Sequence, residues 1–257
     1  MSIAISAVEL SLIICIGLIA LLGLGWLVVG PVVQGSLIFN KRDIPLFQEI
    51  PLMLVSGIII NYGIILCFQS LDISLIVECI LSIFGLICFG IYTFRYFKLQ
   101  TLRLSSISLW IGISFVCLIF ISPILGRPLL GWDARSIWFF HAKMIYVAGS
   151  IGRSAGWQHP SIGFSHPDYP NLIPALAAQI TNMLGFWNEY IPKISLLFML
   201  IPAVVWLFTF ARRSFSFVIL LLLIPFSFAP GIWNGYMDGY FALYFSIAML
   251  LFGRYIN

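Results

Sequence analysis

Run after run of this chain has the length of a membrane crossing and almost no charge. Apolar stretches occupy residues 8–30, 51–70, 73–94, 105–125, 192–210, 215–233 and 239–253. Each is close to the ~20 residues that a helix needs to cross the hydrocarbon core. Leu71 and Asp72 sit between the second and third runs and predict a very tight hairpin there. The expected fold is all-α: a polytopic membrane helix bundle of about seven transmembrane helices, with interfacial helices in a long outer loop.

Composition agrees with that solvent. Hydrophobic residues make up 61% of the 257 and charged residues only 9%, against roughly 25% charged in soluble domains. A water-soluble fold of this size could not hide so much apolar surface. The formal charge of +4 is spread out, without a basic stripe, which argues against nucleic acid as a partner. Cys15, Cys67, Cys79, Cys88 and Cys117 all lie in apolar runs, without metal-ligand or redox spacing, and read as small core hydrophobes. No Lys or Arg precedes the run beginning near Val8. That run is also too long for the core of a signal peptide, so it reads as a retained helix.

Two stretches do not fit a simple crossing. Residues 137–148 carry His141 and Lys143, are too short to span, and have Trp132, Trp138 and Tyr146 around them, the pattern of a helix lying in the interface. Residues 171–187 carry Pro174, Gln179, Thr181 and Asn182. Orientation follows from basic residues in short loops. Arg95, Lys98 and Arg103 place the loop after the third helix inside, and Lys41 and Arg42 fall on the same side. The fourth helix then exits, leaving loop 126–170 outside. Arg212 and Arg213 return to the inside only if 171–187 and 192–210 together make one net crossing. That arrangement puts Asp238 on the same side as Asp133 and Asp168.

Loop 126–170 is the polar island. It holds His141, His159 and His166 with Arg127, Asp133, Arg135, Lys143, Arg153 and Asp168, and ordered loops of this length usually carry function. Asp133, in GWDARSIW, has two readings. One is an N-cap for helix 134–148; the other is a general base made more basic by partial desolvation beside two tryptophans. Asp168, in HPDYP, either supports the start of the next helix through its dipole or binds ligand together with His166, a pair too small to define a metal site. Asp238, in NGYMDGYFALYF, is either a turn residue or a carboxylate at the head of an apolar helix that needs a partner. Glu78 lies well inside a span and reads as a snorkelling side chain.

Three blocks carry a resemblance: GWDARSIW; HPDYPNLIPALAAQITNMLGFWNEYIPKISLLFMLIPAVVWLFTFARRSF; and NGYMDGYFALYF. Together they resemble the polyprenyl-phosphate-sugar-dependent glycosyltransferases of the GT-C class, nearest in pattern to protein O-mannosyltransferases and the enzyme that adds aminoarabinose to lipid A. On that resemblance the chain divides into N-terminal membrane helices, 1–104, and a partial GT-C-like membrane core, 105–257. The resemblance implies transfer of a sugar from a polyprenyl-phosphate donor to an acceptor on the outer face of a bacterial cytoplasmic membrane. It makes Asp133 the catalytic carboxylate, and Asp168 and Asp238 the shapers of the donor site that hold any divalent metal. The phosphate partners would be Arg135, Lys143, Arg153 and His166, arginine being the better bidentate binder.

The pattern also departs from the family. Tyr169-Pro170 stands where a basic residue and a second proline are usual, three helices precede the family's first, and family members continue through several more helices beyond the equivalent of Asn257. The expectation is therefore a shortened transferase, or a relative whose core a partner chain completes. The alternative is a non-catalytic subunit or lipid-phosphate binding module. A transporter is disfavoured, because intramembrane charge is nearly absent apart from Glu78, whereas ion-coupled transport usually uses paired polar groups at mid-depth.

Overall fold

A computed structural model describes residues 6–40, 46–96, 114, 117–152, 155–210, 232 and 234–256. It is all-α: no strand forms among the described residues, and the one isolated β-bridge joins Ser70 to Ser150. Four helices are long and apolar enough to cross a membrane, Val8–Gln34, Glu49–Phe68, Leu71–Arg95 and Ile191–Phe208. Several long apolar helices of this kind fit an integral membrane protein. The expected total of about seven is not reached among the described residues. The run 215–233 lies almost wholly outside them, as do most of 105–116, Lys41, Arg42, Lys98, Arg103, Arg153, Arg212 and Arg213.

The chain divides into two compact units, Met1–Cys67 with Ile73–Leu99, and Phe68–Asp72 with Gln100–Asn257. The first is built from α1 (Ala7–Asn40), α2 (Leu46–Phe68) and most of α3 (Leu71–Tyr96). Its helices cross where they have no side chains. A Cβ on Gly25 would strike the Met53 carbonyl, one on Gly57 the Leu21 carbonyl, and one on Gly85 that of Gly23. Close backbone approach of this kind lets membrane helices gain dispersion contacts that lipid cannot offer. Trp26 fills the remaining space, its ring 5.0 Å from Phe89 and 4.8 Å from Tyr92, with Met53 buried beside it. Along α3, Ile73, Ile76, Ile80, Ile83, Ile87 and Ile91 are all exposed. They follow helical spacing, so this face is apolar where a water-soluble protein would be polar.

The second unit holds α4 (Cys117–Gly126), a π-helical turn Ala134–Trp138 running into α5 (Phe139–Ala148), α6 (Leu172–Leu184), α7 (Ile194–Phe210) and α8 (Met237–Ile256). Its thirteen residues make α6 roughly 20 Å long, short of the ~30 Å hydrocarbon core. Residues Ile173–Thr181 are buried throughout. They are covered by α5, by the 3-10 turn Ile191–Lys193 and by α7, so the polar Gln179 and Thr181 sit against protein. Thr181 returns its hydroxyl to the Ala177 carbonyl at 2.8 Å.

The tight connection lies two residues earlier than expected. Gln69 (φ +56°) and Ser70 make it, while Leu71 and Asp72 open α3. Within the second unit this tip is fastened to the end of α5 by Leu71 N–H to the Gly149 carbonyl (2.9 Å) and Ile151 N–H to the Gln69 carbonyl (3.1 Å). Asn182 at the end of α6 donates its side-chain N–H to the Asp72 carboxylate at 2.8 Å.

Candidate functional site

Asp133 is half-buried and helical (φ −62°, ψ −37°), and its side chain makes no capping hydrogen bond. The capping role open to it in the sequence is therefore not the one it plays. The π-helical turn after it widens the helix by one residue. Such turns are often found at functional positions, and here Ser136 ties the turn back to the Trp132 carbonyl at 2.7 Å. The helix-starting role of Asp168 is likewise not taken: α6 begins at Leu172 with Asn171 before it, and Asp168 lies exposed in the preceding turn.

Two contacts draw the acidic segments together. Gly131 faces the turn before α8, so closely that a Cβ there would stand 2.7 Å from the Asn234 carbonyl and 2.8 Å from the Tyr236 ring. Gly235, at φ +75°, rests in turn on Ala134 and Leu129. This seats the start of α8, with exposed Asp238 in its first turn, against the segment that carries Asp133. On another side, the Trp138 ring lies 5.7 Å from that of Tyr169, which itself stacks on His166 at 4.9 Å. The His166–Tyr169 turn, with Asp168 in it, thus adjoins the helix that Asp133 begins. His166 has its backbone at φ +50°, ending the 3-10 turn Pro160–Ser165.

An apolar cleft of about 250 Å³ opens among these segments, lined by Trp138, Pro170, Ile173, Met199, Met237 and Tyr240 with its neighbours. Tyr240 is 3% exposed, and its hydroxyl has no hydrogen-bond partner among the described residues. The Tyr244 hydroxyl donates to the Met199 carbonyl at 2.7 Å.

Arg135 and Lys143, both exposed, meet elsewhere, in a groove of about 550 Å³ that also includes Leu129, Phe139, Phe140, Trp187 and Glu189. The Lys143 ammonium stands 6.0 Å from the centre of the Trp187 ring. Sequence reasoning missed Glu189 and Trp187 as site residues. The available signal was Asn188 followed by Pro192: the Asn188 side-chain oxygen accepts from the N–H groups of Tyr190 (2.8 Å) and Ile191 (2.7 Å) and fixes this turn. It also missed Lys193, a lone cation at the head of an apolar run. Lys193 is 1% exposed, donates to the Arg127 carbonyl and lies 4.6 Å from the Tyr190 ring centre.

His141 is not at the groove surface but fully buried, 3.2 Å from the Ser165 hydroxyl and edge-on to Trp157 at 4.8 Å. It fastens loop 155–165 to α5. Among the described residues no three His, Cys, Asp or Glu side chains gather closely enough to share a metal ion.

No protein-family model, curated protein or solved structure matches the chain.

Proposed function

We propose that the second unit is a membrane glycosyltransferase core of GT-C character, or part of one, moving a sugar from a polyprenyl-phosphate donor to an acceptor hydroxyl. The observation that carries this reading is the seating of the Asn234–Tyr236 turn on Gly131–Ala134, which gives Asp133 and Asp238 a common neighbourhood. The Trp138–Tyr169 contact brings in the segment of Asp168. Asp133, half-buried and not engaged in a cap, is the general base: it takes the proton of the acceptor hydroxyl as that oxygen attacks the sugar's anomeric carbon and the phosphate leaves. Asp168 and Asp238 border the sugar. On this unit the donor phosphate falls to His166, stacked on Tyr169 in the turn that carries Asp168, and the apolar cleft beside Trp138 and Tyr240 receives hydrocarbon, while Arg135 and Lys143 lie in their separate groove.

The test is transfer of radiolabelled sugar from a polyprenyl-phosphate donor in membranes carrying the chain with its genomic neighbours. Asp133→Asn is expected to lower transfer by about 10²- to 10⁴-fold, the range of a lost general base, with expression unchanged. Unaltered transfer by this variant refutes the base assignment. A second reading, a non-catalytic lipid-phosphate binding subunit, draws on the charged groove of Arg135 and Lys143. It gains if the wild-type chain transfers no sugar.

A further inference from the structure

The groove of Arg135, Lys143 and Glu189 does not end at its charges. A second cavity, of about 330 Å³, shares Phe140 and Lys143 with it and is otherwise lined by Met144, Val147 and Ala148 of α5 and by Trp157, whose ring lies edge-on to His141, two residues before Lys143. One half of the pair offers two cations and a carboxylate; the other offers hydrocarbon and aromatic carbon, with Lys143 at the junction. That is the outline of a single amphiphile, its headgroup beside Arg135 and its chain along α5.

Two details narrow the amphiphile. Glu189 gives the charged half an acceptor of opposite sign to its cations, so a headgroup carrying only phosphate leaves that carboxylate facing another anion. A headgroup with a phosphate and a protonated amine satisfies all three side chains. In the apolar half, Trp157 is 3% exposed and its indole N–H has no acceptor among the described residues. A buried unpaired donor is unfavourable, and a plain isoprenoid tail has no oxygen to offer it. An ester carbonyl at the head of an acyl chain does.

We propose that these joined cavities bind a glycerophospholipid whose headgroup carries a primary ammonium, of the phosphoethanolamine type. Arg135 and Lys143 hold its phosphate, Glu189 its amine, and Trp157 an ester carbonyl. The assignment leaves His166 as the cation on the sugar-donor side, and it stands whether or not Asp133 catalyses transfer.

The test is lipid retention by the purified full chain in native mass spectrometry. It compares phosphatidylethanolamine, phosphatidylglycerol of the same acyl composition, an ether-linked phosphatidylethanolamine and a polyprenyl monophosphate. Phosphatidylethanolamine is expected to be retained over phosphatidylglycerol by about three- to five-fold, the scale of a partly exposed ion pair. Glu189→Gln should erase that preference while leaving phosphatidylglycerol binding in place. Arg135→Ala with Lys143→Ala should weaken both lipids, and Trp157→Phe should weaken the ester lipid but not its ether analogue. Equal or better retention of phosphatidylglycerol by the wild-type chain overturns the proposal, as does a preference that survives Glu189→Gln or a retention of polyprenyl monophosphate that Arg135→Ala with Lys143→Ala abolishes. Asp133→Asn should leave retention unchanged, so a failed transfer assay and a failed lipid assay remain separate results.

Discussion

Replacing Gly235 with alanine tests the contact that gathers the acidic segments, and the structure supplies its own control. Gly235 and Gly185 both have φ +75°, but a Cβ at Gly185 meets nothing within 4 Å. One at Gly235 lies 3.0 Å from the Ala134 Cβ and 3.1 Å from a Leu129 methyl. Gly185→Ala therefore measures the left-handed backbone cost alone, about 1 kcal/mol. Gly235→Ala adds a methyl forced into a packed contact, so its expected cost is about 2–4 kcal/mol. Gly131→Ala attacks the same contact from the opposite side, where the obstacle is the Asn234 backbone at 2.7 Å. Steric crowding alone makes it cost about 1–3 kcal/mol. Because both changes undo one docking, the double variant should cost less than the sum of the two. Stability would be read by denaturant titration of the detergent-solubilised chain through tryptophan fluorescence, and the locus by hydrogen exchange. Amides in 129–136 and 234–240 should exchange faster in Gly235→Ala and not in Gly185→Ala. If Gly235→Ala costs no more than Gly185→Ala, the two segments are not held together by this contact, and the neighbourhood argued for Asp133 and Asp238 falls with it.

In the first unit, Trp26→Ala should destabilise by about 3–5 kcal/mol, because the buried indole that Phe89 and Tyr92 both pack against is removed; denaturant titration would show it. Lys193→Met keeps the chain length but leaves the Arg127 carbonyl without its donor. It should cost about 1–3 kcal/mol, measured in the same titration and accompanied by faster exchange near residue 127. Asp72 and Asn182 should couple in a double-mutant cycle by about 0.5–1.5 kcal/mol, and a coupling of zero would remove that fastening.

The helices were legible because an apolar run of spanning length has few other fates, and the exposed isoleucine stripe of α3 is the same pattern seen in space. The connection was misplaced by two residues because its left-handed position fell on Gln69, a residue that carries no turn signal in sequence. The polar residues of α6 made a full crossing uncertain in sequence, and the helix has 13 residues. That its flanks would be covered by α5 and α7 depended on contacts no local pattern encodes. The candidate site shows the same divide. Glycines at 131 and 235 are visible as turn residues, but only the folded chain shows that Gly131 leaves room for the Asn234 carbonyl and Gly235 for the side chains of Ala134 and Leu129. Glu189 and Trp187 were overlooked because they lie far along the chain from Arg135 and Lys143, with which they share a groove.

The tip Phe68–Asp72 belongs to the second unit although its sequence lies inside the first. No single cut of the chain, at any residue, separates the two units whole. A gene fragment ending near residue 100 would synthesise the tip without Gly149, Ile151 or Asn182, the groups that receive it. A fragment beginning there would carry those groups with nothing to grip. During synthesis the Asp72 carboxylate must wait 110 positions for its donor. Dividing this protein for separate study calls for a circular rearrangement or a co-expressed tip, not a truncation.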